Sequence, residues 1–300
     1  MKTTLKTVSA LVAGALLILP TLVQAETANT EDKLRILLVS DDGCRSEGSQ
    51  ELFKALTKEG YDVWLSGPID NQSGKGTAVT FKPGKELMYE KIGEKEYCID
   101  GTPVDSVLFG LTGLMAEQKP DLVISGVNDG PNVGVNQFNS GTVGAAARAI
   151  RHGIPALAVS MGFRIEEAKE GFPSSMTYIP AGVEHTLEVV DKLNTKKAEG
   201  QELLPKGTGL SINYPPYPKS EIKGIEYIEN EVFPEYNYTF NILDENTTVQ
   251  KLNFKPFTDA KDQSVTTDTT QLMRKYITYT VFQAHWNAPE SVTAYQEILK

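Results

Sequence analysis

The 300-residue chain has only two cysteines, Cys44 and Cys98, and three scattered histidines, His152, His185 and His285. So few of either cannot build a zinc site of the usual Cys/His kind. Positive charge is also in deficit, with 29 Lys and Arg against 39 Asp and Glu and a net charge of −10. Holding a nucleic-acid duplex nonspecifically needs clustered Lys and Arg, so a duplex is not an expected partner. Beyond the first 25 residues no apolar run approaches the roughly 18 to 20 residues that span a bilayer. No internal repeat is present, and two nucleotide-binding signatures are missed. In "SGPIDNQSGKG", residues 66 to 76, Gly67 and Gly74 are too far apart for a P-loop, and Gly76 follows Lys75 where Ser or Thr is required. In "SGVNDGPNVG", residues 125 to 134, the glycines at 126, 130 and 134 are four apart, which is not the dinucleotide-binding spacing.

What is there starts with an export signal. Met1–Ala25 carries Lys2 and Lys6, no acid, an apolar run around Leu11 to Leu22, and the small-x-small pattern Val23-Gln24-Ala25. The expected mature chain therefore begins at Glu26, is periplasmic or secreted, and makes no membrane contact once the leader is cleaved. It is more acidic than the full chain, because the leader takes two lysines and no acid with it. In an oxidising compartment Cys44 and Cys98 could pair; they could equally stay free, since sequence gives no Cα separation.

Between Arg35 and Ser160 the pattern alternates strand and helix. Ile36 to Val39 reads as a short buried strand, and Leu52, Phe53 and Leu56 fall on one helical face that ends at Gly60. Further strands are expected at Tyr61 to Leu65, Leu122 to Ile124 and Ala156 to Val159. One helix starts with Thr102 as cap, Pro103 next and Asp105 third; another runs from about Thr142 to His152, with Gly153 behind it. Strand–helix–strand repetition means right-handed crossovers, hence an α/β fold with a mostly parallel sheet covered on both faces. In such a sheet the ligand site lies beyond the carboxyl ends of the strands.

Three polar loops fall at that edge: Asp41-Asp42-Gly43 and the stretches 66 to 76 and 125 to 134. Taken alone, Asp-Asp-Gly reads as a polar turn with Gly supplying a positive φ. At the ligand edge, though, adjacent carboxylates repel unless a cation or shared proton lies between them, and hard oxygen ligands suit Mg²⁺ or Mn²⁺. Ser73 is either a turn residue or a hydroxyl ligand to the same cation. Asn128 and Asn132 could simply brace their loop through side-chain to backbone bonds. Ser140-Gly141-Thr142 opens a helix made thin by Ala145, Ala146 and Ala147, where free N–H groups and the helix dipole form an anion site; Ser140 can cap that helix at the same time. His152 reads as a cation at the helix C-terminus, and the Thr102 group as a cap.

In order, "LLVSDDG", "NQSGKG", "GTPVDSV", "DLVISGVNDGPNVG", "SGTVGAA" and "IPALAVS" resemble the SurE survival-protein family of metal-dependent 5′/3′-nucleotidases. "LSINYPPYP", residues 210 to 218, and "TTDTTQLMRKYITYTVF", residues 266 to 282, look like that family's later strand and closing segment. The resemblance implies a Rossmann-like three-layer sandwich over 26–300, with C-terminal strands and helix used in forming a homodimer or homotetramer. It places one divalent cation, Mg²⁺ or Mn²⁺, on Asp41, Asp42, Ser73 and Asn128. Substrate phosphate falls on Asn132, Ser140, Gly141 and Thr142. Asp41 and Asp42 then become the catalytic residues, Asp41 the preferred general base, and the substrate a nucleoside monophosphate or another small phosphate ester. Four positions depart from the family pattern: Ser40 stands where Asn is usual, Asp70 and Gln72 where arginines are, and Asn139 where Tyr is. The other class compatible with export is a nucleotide- or phosphate-binding protein without turnover, although a pure binder has no need of adjacent aspartates.

Overall fold

Arg35-Ile-Leu-Leu-Val39 is apolar on both of its alternating faces, and strand β1 (Arg35–Val39) accordingly lies inside a sheet covered on both sides. Leu37 and Val39 pack with Val107, Leu111 and Val123, whereas Ile36 and Leu38 pack with Leu52, Leu56 and Leu65. Successive side chains of a strand point to opposite faces, so a strand buried on both must be apolar throughout. The structure is a computed structural model that describes residues 33–231, 236–254, 264–285 and 291–298. The expected leader, Met1–Ala25, and the cleavage point before Glu26 lie outside the described residues, which all fall in one compact unit, Asp32–Lys300.

The remaining strands are β2 (Asp62–Pro68), β3 (Tyr89–Lys91), β4 (Glu96–Ile99), β5 (Leu122–Asn128), β6 (Ala156–Met161), β7 (Thr208–Tyr214), β8 (Gly224–Tyr227), β9 (Tyr236–Ile242), β10 (Thr248–Phe254) and β11 (Tyr276–Gln283). The helices are α1 (Glu47–Lys58), α2 (Pro103–Phe109), α3 (Gly141–Arg151), α4 (Pro173–Thr177), α5 (Ile179–Ala198), α6 (Asp268–Met273) and α7 (Val292–Ile298). A nine-stranded sheet runs β3-β4-β2-β1-β5-β6-β7-β11-β8. From β4 through β7 all neighbours are parallel; β3 and β11 run antiparallel to β4 and β7. One face buries α1 and α5 through Leu52, Leu56, Val190 and Leu193; the other buries α2 and α3 through Val107, Val143, Ala146 and Ala149. This is the expected three-layer α/β sandwich. Strands β9 and β10 form a separate antiparallel hairpin.

Helix ends follow the local chemistry. Ser46 caps α1 by accepting from Ser49 N, and Gly60, at φ +85°, turns the chain out behind it. Thr102 and Asp105 form a capping box at α2, and the Asp105 carboxylate also receives the amide and hydroxyl of Thr80, so this cap fixes a second loop as well. Three strands run further than expected, β6 reaching Met161 instead of Val159. β2 continues to Pro68 because Ser66, Gly67 and Pro68 pair with Tyr97, Cys98 and Ile99 of β4. β5 continues through Ser125 to Asn128, its register to β6 shifting between those two residues, so the first four residues of the expected 125–134 loop are strand.

Cys44 and Cys98 form a disulfide with Cα atoms 5.4 Å apart, joining the turn after β1 to β4, two strands away. The crosslink spans 54 residues of chain, which in the chain-entropy account of disulfides corresponds to about 4 kcal/mol of stability. Cys44→Ser with Cys98→Ser is expected to lower the unfolding free energy in urea by an amount of that order. An unchanged midpoint would mean that the crosslink constrains nothing.

Candidate active site

Three neighbouring parallel strands, β2, β1 and β5, end together, which brings the Asp41-Asp42 turn, the 69–76 loop and the 129–134 loop to one edge. Gln72 N donates to Asp41 O at 2.7 Å and Asp129 N to Asp42 Oδ2 at 3.1 Å, so both flanking loops dock onto the aspartate turn. Ser73 Oγ lies 3.5 Å from Asp42 Oδ1, and Asn71 Nδ2 donates to the same oxygen at 3.2 Å. Asn128 uses its amide nitrogen on Gly130 O at 2.6 Å, which leaves the amide oxygen as the atom that could face a cation.

On the other side of Asp41, the Thr142 hydroxyl donates to Asp41 Oδ1 at 2.6 Å, with Thr142 fully buried and Asp41 3% exposed. Asn132 Nδ2 reaches Thr142 Oγ1 at 3.3 Å and Ser160 Oγ at 2.8 Å. Ser140 caps α3 by accepting from Val143 N at 3.0 Å, so its hydroxyl is committed to the helix. Gly141 has a role that sequence did not disclose: a Cβ there would stand 2.7 Å from both Cβ and Oδ2 of Asp41. Three residues on, a Cβ at Gly144 would stand 2.1 Å from Gly76 O. Only glycine at these two positions lets the N-terminus of α3 press against the turn after β1 and the loop after β2. The eight residues singled out from sequence thus fall at one strand edge, in two linked groups around Asp42 and Asp41.

Four further residues complete the site. Asp129 stands against Asp42 and adds a third carboxylate; it was in view within "VNDG" but overshadowed by its asparagine neighbours. Asn213, buried in β7, exchanges two hydrogen bonds with the Asn132 backbone at 2.8 and 3.0 Å, and Ser160 of β6 holds the Asn132 amide. Asp268, fully buried at the start of α6, accepts the N–H groups of Gly134, Glu231 and Thr269 at 2.7 to 2.9 Å and so ties the closing segment to the 129–134 loop. For Asn213 the available signal was a polar residue inside an otherwise buried strand; for Asp268 there was none beyond its position after Thr267 as a cap.

Electrostatically this is a site of uncompensated acids. Burial raises the Asp41 carboxyl above its ordinary value, opposed by the Thr142 hydrogen bond. Burial, then the charges of Asp129 and Asp41, pushes Asp42 up to about 8, and burial raises Asp129 as well. Among the described residues no Lys or Arg forms an ion pair with any of the three. An all-oxygen donor set of Asp41, Asp42, Ser73 and Asn128 that lacks a counter-charge fits a hard divalent cation.

The fold and site together define a class: a doubly wound α/β protein with a cluster of acids and other oxygen donors at the carboxyl edge of its parallel strands and a helix N-terminus beside it. Comparison with known proteins narrows the class. The family described as "Survival protein SurE" matches residues 36–232. The 5′-nucleotidase SurE of Erythrobacter litoralis is 31% identical over 206 residues, 68% of this chain and 75% of that protein. The 5′-nucleotidase SurE of Sulfurovum sp. is 37% identical over 194 residues, covering 64% and 69% of the two chains. The crystal structure of the SurE protein from Aquifex aeolicus superposes with a TM-score of 0.72 at 28% identity, over 89% of this chain and all of that one. The chain belongs to the SurE family.

The raised acids give the protein a pH dependence of defined sign. A carboxyl that ionises near pH 8 when folded and near 3.8 when unfolded holds its proton more tightly in the folded state. Its contribution is therefore complete below about pH 4 and is lost as pH rises through 8. In chelator, Asp42→Asn should gain on the wild type between pH 5 and pH 8 by at least the roughly 1.4 kcal/mol that one pKa unit is worth. Urea unfolding of both proteins across that range measures it, and a constant difference would contradict the assignment.

Proposed function

We propose that this protein is a metal-dependent phosphomonoesterase that releases phosphate from nucleoside monophosphates and from other small phosphate esters. The observation that carries the reading is the Asp41-Asp42 pair, Asp41 buried and Asp42 half-buried, without a cation partner among the described residues and bonded from Asp41 through Thr142 to the start of α3. The names borne by its relatives, 5′-nucleotidase SurE, support the same activity.

In this reading Asp41, Asp42, Ser73 and Asn128 hold one Mg²⁺ or Mn²⁺. When bound, the cation supplies Lewis-acid polarisation of a phosphoryl oxygen and a more acidic water. The chain's own residues do the rest. The α3 N–H groups from Gly141 onward, at the favourable end of the dipole, offer donors to the phosphate, and Asn132 and Thr142 turn their protons from Ser160 and Asp41 to its oxygens when it binds. Charge that builds on the equatorial oxygens is stabilised by these preorganised donors. Asp41, freed of the Thr142 proton when phosphate binds, accepts the proton of the attacking water as general base; among the described residues no histidine is bonded to the pair.

The protein is exported, and the described disulfide supports that reading, because such crosslinks persist mainly in oxidising compartments. Among the described residues no helix is long and apolar enough to cross a membrane. It assembles as a homodimer or homotetramer, a reading supported by the apolar side chains Phe240, Ile242 and Leu243, 63, 83 and 63% exposed on the β9–β10 hairpin and its turn.

Phosphate release from adenosine monophosphate and from p-nitrophenyl phosphate should require Mg²⁺ or Mn²⁺ and stop with chelator. Tight nucleotide binding without release would instead identify a binding protein. Thr142→Ala should weaken competitive inhibition by inorganic phosphate about tenfold or more, the worth of a hydrogen bond to a charged group, and an unchanged inhibition constant would put the anion elsewhere. Intact mass of protein from the native host should correspond to a start at Glu26; retention of Met1 would refute export by cleavage.

A further inference from the structure

On α3, Gly144, Ala147, Arg148 and Arg151 recur at the i, i+3, i+4, i+7 spacing that puts residues on one side of a helix, and all four line a cavity of about 560 Å³. Its far wall includes Phe282, near the end of β11, together with Gln137 and Asn230, whose amide groups bond to each other at 2.8 Å. Concave sites of some hundreds of cubic ångströms, apolar with a few polar groups, are the size that small molecules occupy. This one faces away from the catalytic edge. Thr142, Ala145, Ala146 and Ala149 make up a second, buried stripe of α3. At roughly 100° of turn per residue, two stripes offset by two residues look out about 160° apart.

Among the described residues neither Arg148 nor Arg151 forms an ion pair. Glu231 also lines the cavity but pairs with neither. Asp105, the acid whose charge reaches Arg148, already accepts the Thr80 amide and hydroxyl and Thr102 N. Burial, then the charge of Arg151, lowers the Arg148 guanidinium from its ordinary value. A helix C-terminus favours cations, which accounts for two arginines in the last turn of α3. It does not account for setting both, three residues apart, on the wall of one cavity. In a chain of net charge −10, two such guanidiniums side by side are a local reversal of sign that draws an anion.

We infer that this cavity is a second ligand site, for a small organic dianion whose phosphate or phosphonate head lies between Arg148 and Arg151 and whose apolar body lies along Ala147 and Phe282. Guanidinium forks match the oxygens of such a head, and two of them match its charge. The inference goes beyond the phosphomonoesterase reading and does not depend on it.

The test is equilibrium dialysis of phenylphosphonate at pH 8 in chelator, where the acids without a counter-charge turn anions away from the catalytic edge. Wild type should bind one molecule per chain. Arg148→Met and Arg151→Met, at a half-buried and an exposed position and each checked for folding by circular dichroism, should weaken binding about tenfold or more, the worth of a hydrogen bond to a charged group. Thr142→Ala should leave it unchanged. Benzoate, with a single charge, and inorganic phosphate, with no apolar body, should both bind more weakly than phenylphosphonate. Binding that Thr142→Ala removes and the arginine variants keep would put the anion at the catalytic edge and overturn the second site. Benzoate or inorganic phosphate bound as tightly as phenylphosphonate overturns the ligand class. No binding in wild type overturns the site outright, and a sedimentation coefficient that changes in Arg151→Met would then assign the cavity to contact with a second copy of the chain.

Discussion

Asp41 and Asp42 put two like charges at the end of a strand where water cannot solvate both. Burial raises each carboxyl; the charge of Asp129 raises both further, and the charge of Asp41 adds to the rise of Asp42. A fold tolerates such a grouping only if surrounding structure over-determines it and something neutralises it. Much of what surrounds β1 can be understood as meeting the first condition. Thr142 donates to Asp41, Asp129 N donates to Asp42, and glycines at 141 and 144 let α3 come close enough to act. The second condition is what a divalent cation satisfies.

The frame is rigid for reasons spread over the whole chain. The Cys44–Cys98 bond fixes the far side of the aspartate turn, and Cys44 N also donates to Pro68 O at 2.8 Å. Asn213 and Ser160 hold Asn132 from the strands beneath it. Asp268 reaches from the closing segment to Gly134, so residues distant in sequence set the shape of the 129–134 loop. Sites held to fractions of an ångström need such supporting contacts, because small misplacements cost large factors in rate.

The central layers of this fold were legible in sequence because their signals are local. Buried parallel strands are short apolar runs, and caps such as Thr102 and Ser140 sit one residue before their helices. The edge strands β3 and β8, and the short β4 beside β3, were not anticipated, since β3 and β8 are three or four largely exposed residues each and β4 is only four residues long. The extension of β5 to Asn128 was hidden by Gly126, which reads as a turn but here allows a strand to continue through an irregular register. At the site, Asp41, Asp42 and Thr142 were found by position and motif. Asn213 and Asp268 were not, because their importance lies in partners 81 and 134 residues away. Whether Cys44 and Cys98 pair depends on a Cα separation that only the fold supplies.

The central claim, that the adjacent aspartates exist to hold a divalent cation, is tested most directly by melting curves of wild type and Asp42→Asn in chelator and in excess Mn²⁺. A ligand that binds only the folded state stabilises it by about 2.7 kcal/mol at a hundred times its dissociation constant, a shift of several degrees for a domain of this size. The account predicts that shift in the wild type and its near absence in Asp42→Asn, with the metal-free variant at least as stable as the metal-free wild type at pH 8. Equal shifts in the two proteins, or no shift in either, would contradict it.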